Sequence, residues 1–155
     1  MPDAAELGTV RRVLLCTGKV FYELAAYREE QKRNDTAIVR LEQLYPLRAE
    51  LMETALASYP EGTPVFWVQE EPQNMGAWRY LGERFGDTLL DRYPLRLVSR
   101  PESASPATGS AGAHKLEQQQ LIRRAFGADT PIDSTHATPS NVEAEGQTRI
   151  NKIRK

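Results

Sequence analysis

The stretch Arg11-Arg12-Val13-Leu14-Leu15-Cys16-Thr17-Gly18-Lys19-Val20-Phe21-Tyr22-Glu23-Leu24-Ala25-Ala26-Tyr27-Arg28-Glu29-Glu30 decides the fold class. Its first seven residues are a compact apolar run of strand length, and Gly18 breaks it. Beyond the break, Val20, Leu24 and Tyr27 recur at spacings of four and three, the signature of a helix with one buried face. Asn34-Asp35 punctuates the chain before a second strand at Thr36-Ala37-Ile38-Val39-Arg40-Leu41. The alternation then repeats. Pro46 suits a first helical turn, where its missing N–H costs little, and Leu47, Leu51, Ala55 and Leu56 form the next apolar stripe. Pro64-Val65-Phe66-Trp67-Val68-Gln69 is apolar on both faces, as expected for a strand in the middle of a covered sheet. Asn74 is placed to cap a helix over Met75–Phe85, with Trp78, Leu81 and Phe85 facing inward and Gly86 at its end. Leu95–Ser99 reads as a fourth strand, and a helix from Ala113 to Phe126 turns Leu116, Leu121 (or Gln120) and Ala125 to the core. Strands alternating with helices of this length predict an α/β fold on a mostly parallel sheet with helices on both faces.

On this reading residues 1–10 are a lead-in, 11–127 the domain, and 128–155 a disordered polar tail ending in the basic Arg149-Ile150-Asn151-Lys152-Ile153-Arg154-Lys155. The whole chain has 155 residues, with 20 Lys plus Arg against 21 Asp plus Glu, a net charge of −1 that gives no general attraction for nucleic acid. No apolar run approaches the roughly 20 residues that cross a bilayer. A start without basic or apolar signal character and a single cysteine, Cys16, point to a reducing, cytoplasmic setting. Cys16, His114 and His136 lack the spacing of zinc ligands. Cys16, Trp67 and Trp78 are read first as core side chains.

In an α/β sheet the turns beyond the strands' carboxyl ends are where ligands bind, so these turns carry the candidate site. Gly18 and Lys19 open a helix and can hold a phosphate or carboxylate, or can be a tight turn alone; neither G-x-G-x-x-G nor a P-loop is present. Gln69-Glu70-Glu71-Pro72-Gln73-Asn74 sets two carboxylates on opposite sides of an extended chain, one toward the ligand edge or a partner, the other capping the next helix. Ser103, Ser105 and Thr108, with His114 beyond, offer hydroxyls and an imidazole. Yet no G-x-S-x-G elbow or orienting carboxylate accompanies them. No complete active site is legible.

The wording of these turns resembles a known family. Cys16-Thr17-Gly18-Lys19-Val20-Phe21-Tyr22-Glu23-Leu24 and Ala37-Ile38-Val39-Arg40-Leu41-Glu42-Gln43-Leu44-Tyr45-Pro46 resemble the C-terminal domain of the thiamine-dependent decarboxylase component of 2-oxoglutarate dehydrogenase. Trp67–Trp78 is similar to its Q-E-E-P-x-N-x-G-A-W stretch, Ser103–Gly109 to S-A-S-P-A-T-G, and His114 with Glu117-Gln118-Gln119 to H-x-x-E-Q-Q. The resemblance implies a transketolase C-terminal-type domain, a three-layer α/β/α sandwich on a mostly parallel sheet. It also implies a non-catalytic, dimerising part of a homodimer. The full enzyme uses thiamine diphosphate and magnesium to decarboxylate 2-oxoglutarate in the citric acid cycle and passes the succinyl group to a lipoyl succinyltransferase partner. The catalytic and cofactor-binding elements of the family lie in preceding domains, so this chain is expected to hold no cofactor itself. Some actinobacterial members respond to acetyl-coenzyme A, which makes a regulatory or binding module with an anion site at Gly18, Lys19, Arg100 and Ser103 the alternative. Three departures stand out: Ser99-Arg100 replaces the family's glycine–arginine pair, the tail after Gly127 resembles nothing in the family, and only ten residues precede Arg11, where the family's sheet has a further edge strand. An unpaired edge of this kind can accept a strand from another polypeptide.

Overall fold

The structure is a computed structural model that describes residues 10–105 and 109–128; the lead-in up to residue 9, Thr108 and the tail beyond Ala128 lie outside the described residues. Strands β1 (Arg12–Cys16), β2 (Thr36–Arg40), β3 (Val65–Pro72), β4 (Thr88–Leu89) and β5 (Tyr93–Arg100) form one sheet in the order β2-β1-β3-β5-β4. The helices are α1 (Val20–Glu30), α2 (Ala49–Leu56), α3 (Trp78–Phe85) and α4 (Ala111–Ala125). All pairings are parallel except β4 with β5, so the α/β class and the mostly parallel sheet stand.

The period-2 alternation along the strands sorts their side chains into two clusters, one on each face. Ala37, Val13, Val65 and Leu95 align in register across β2, β1, β3 and β5, as do Val39, Leu15, Trp67 and Leu97 one step on. These pack with Met52 and Leu56 of α2 and Leu81 of α3. The intervening residues Leu14, Cys16, Ile38, Phe66, Val68 and Val98 pack with Val20 and Leu24 of α1 and Leu121, Ile122 and Ala125 of α4. Each fully buried Leu, Val or Phe contributes about 1.5–3 kcal/mol relative to exposure, which makes both helical layers integral to stability. No helix among the described residues is long and apolar enough to cross a membrane.

Three details differ from what the sequence predicts. The second helix starts at Ala49, leaving Pro46 in the loop before it, because Leu47 of that loop is itself tucked into the core at 5% exposure. On α2 Leu56 is buried as expected, but with Met52 rather than Leu51, which is 61% exposed. In α4 Leu121 and Ala125 are buried as expected, but Leu116 is 57% exposed, and the first buried residue of the helix among those described is Gln118. The short β4 has no counterpart in the sequence pattern. It returns into β5 through Leu90 and Asp91, both at φ 55, a turn without the glycine or asparagine that usually announces one.

Cys16 is fully buried, as expected of a core side chain, and burial pushes its thiol up to about 12. Since the thiolate is the reactive form, the native protein should show no thiol reaction with an aromatic disulfide reagent at pH 8, and one equivalent per chain after denaturation. Prompt native labelling would contradict this buried placement.

Candidate functional site at the carboxyl edge of the sheet

From β1 the chain crosses to β2 on one side, and from β3 to β5 on the other. The strand order therefore reverses between β1 and β3, and ligands in open α/β sheets favour the crevice outside that switch point. Lys19 leaves β1 there through Gly18, whose φ of +67 allows the tight turn, and Glu70 comes from β3.

The crevice is bridged by the chain's own side chains. Lys19 Nζ lies 2.7 Å from Glu70 Oε1 and 3.9 Å from Glu23. The hydrogen bond to Glu70, reinforced by its charge, raises the Lys19 pKa. Gln118 Nε2 donates to Glu70 Oε1 and Glu23 Oε2, each at 3.0 Å, tying α4 to α1 and β3. Arg100 Nε donates to the Glu70 carbonyl, and its Nη1 lies 3.5 Å from Glu117 Oε2. The lysine at the helix start is thus part of an internal ion pair. Sequence reasoning singles out Lys19, Glu70 and Arg100 but misses Glu23, Glu117 and Gln118. The last two stand in view within the Glu117-Gln118-Gln119 motif, but helical periodicity assigns no role to a polar residue on an inward face.

The second cluster is structural. Gln69 is 3% exposed and makes no contact suited to a ligand. Its Oε1 accepts from Trp67 Nε1 at 2.8 Å and from the Trp78 backbone N–H at 3.1 Å. Its Nε2 donates to the carbonyls of Pro72 and Met75 at 3.1 and 2.7 Å, with Glu71 more distant at 3.4 Å. Gly76 lies against this amide at φ +69, where a Cβ would sit 3.0 Å from Gln69. The motif Gln69–Trp78 is therefore the wiring of one turn. Glu70 alone faces the crevice; Glu71 is exposed and does not cap α3, whose first N–H goes to Gln69 instead.

Asn74 does not cap α3, which begins at Trp78 with Gln69 accepting from its N–H. Instead Asn74 clamps the loop after β5: its Nδ2 donates to the Ser103 carbonyl at 2.9 Å, and its Oδ1 accepts from the Ser103 N–H at 3.1 Å. Ser103 Oγ in turn accepts from the Ser105 N–H at 3.2 Å. These contacts tie up backbone groups of the loop. His114 is exposed in the first turn of α4, and its backbone N–H donates to the Ser110 carbonyl at 3.0 Å. Among the described residues no group of three His, Cys, Asp or Glu is placed to hold a metal ion. With Lys19 held by Glu70 as well, these residues do not fit a magnesium-bound diphosphate.

Residues 2–126 match the model of the 2-oxoglutarate dehydrogenase C-terminal family. The chain belongs to that family. Among family relatives, a 2-oxoglutarate dehydrogenase E1 component of Cupriavidus necator is 42% identical over 128 residues, 81% of this chain and 14% of the relative. A 2-oxoglutarate dehydrogenase E1/E2 component of Corynebacterium glutamicum is 42% identical over 127 residues, 82% of this chain and 10% of the relative. A multifunctional 2-oxoglutarate metabolism enzyme of Mycolicibacterium vanbaalenii is 43% identical over 118 residues, 76% of this chain and 10% of the relative. The chain thus spans a small fraction of the curated family members it matches. At the carboxyl edge of this chain Gln69 wires one turn, Asn74 clamps the loop after β5, and Lys19–Glu70–Gln118 joins three elements.

Proposed function

We propose that this chain serves as the non-catalytic C-terminal domain of a thiamine-dependent 2-oxoglutarate dehydrogenase, contributing interface area and orientation to a dimeric enzyme. The match of residues 2–126 to that family carries the reading. The site geometry supports it. Lys19, Arg100 and Gln118 each hydrogen-bond Glu70, so the crevice offers a braced surface rather than a place for proton transfer. On this reading thiamine diphosphate, magnesium and the decarboxylation belong to other domains, supplied in the same polypeptide or in trans. A lipoyl succinyltransferase component receives the product, and the work is done in the cytoplasm. The alternative of a regulatory module with an acetyl-coenzyme A or anion site draws less support, because Glu70 already neutralises the lysine on which it depends.

The isolated chain, supplied with 2-oxoglutarate, thiamine diphosphate and magnesium, should release no carbon dioxide above the protein-free control. Sustained turnover from purified chain would overturn the proposal. A scaffold whose contribution is positional can still alter the rate of the assembled enzyme, since orientation alone changes effective concentration at the reacting centre.

A further inference from the structure

We draw no further inference here: the strongest candidate, the open groove between α1 and α4 beside Gln118, whose Oε1 is buried without a hydrogen-bond partner among the described residues, carries none, since that oxygen is closed to a ligand entering the groove and nothing in the structure shows what covers the face.

Discussion

Gln69→Leu should destabilise the domain by about 3–5 kcal/mol, because each buried polar group left without a partner costs roughly 1–3 kcal/mol. Leucine has nearly the volume of glutamine, so the change tests hydrogen bonding with little cavity. Loss of Oε1 strands the Trp67 indole N–H and the first N–H of α3, at Trp78. Loss of Nε2 strands the carbonyls of Pro72 and Met75. Water cannot readily replace the amide, since Gln69 is 3% exposed and Trp67 is 1% exposed. The measurement is urea unfolding followed by tryptophan fluorescence, which also reports the altered setting of Trp67 and Trp78. Gln73→Leu is the matched control: its backbone N–H donates to the Arg100 carbonyl at 3.0 Å, a bond that the substitution retains. That control should stay within about 0.5 kcal/mol of the parent. Equal losses at the two positions would show that the turn is not wired through the Gln69 amide.

The same turn shows what a sequence can and cannot disclose. Alternation of apolar runs reveals the α/β class, because burial on both faces of a central strand leaves a continuous signal, here Val65–Val68. Helix ends are less legible. Asn74 has the chemistry of an N-cap and sits just before a helical pattern, yet it serves a loop 29 residues away, and Gln69 takes the acceptor role. Local rules weigh only neighbours, whereas the outcome depends on which distant group the fold brings close. The same limit applies to Lys19. Position after a strand, a glycine turn and positive charge suggest an anion site, and only the folded chain reveals that Glu70, 51 residues later, occupies it. The stripe of α2 fails for a different reason: at its start the inferred face is one residue, about 100°, out of phase, so that Met52 rather than Leu51 is buried with Leu56. Two residues of β4 carry no period at all. Thus the elements are read from period, the motifs from resemblance, and the pairings from neither.

Gly127→Val should cost about 3–4 kcal/mol, against about 1–2 kcal/mol for Gly62→Val, and the difference isolates a single contact. Both glycines have positive φ, +73 and +82, so both substitutions carry the backbone strain of a β-branched residue in the left-handed region. A Cβ at Gly62 would meet nothing within 4 Å, but at Gly127 that atom would fall 2.7 Å from Arg12 Nη2. Arg12 is not free to withdraw cheaply. Its Nη1 donates to the Ala125 carbonyl at 2.8 Å, and its guanidinium carbon lies 4.9 Å from the centroid of the Phe66 ring. Gly127 itself closes α4, its N–H bonding to the Arg124 carbonyl at 2.9 Å while that of Ala128 bonds to Arg123 at 3.0 Å, the paired bonds of a Schellman end. The clash therefore bears on the joint between the end of α4 and the start of β1. A double-mutant cycle with Arg12→Ala separates the two contributions. In that background the excess cost of Gly127→Val over Gly62→Val should largely disappear, leaving backbone strain in common. If the excess persists without the guanidinium, the penalty resides in the helix end alone, and Arg12 is not the group that requires glycine there.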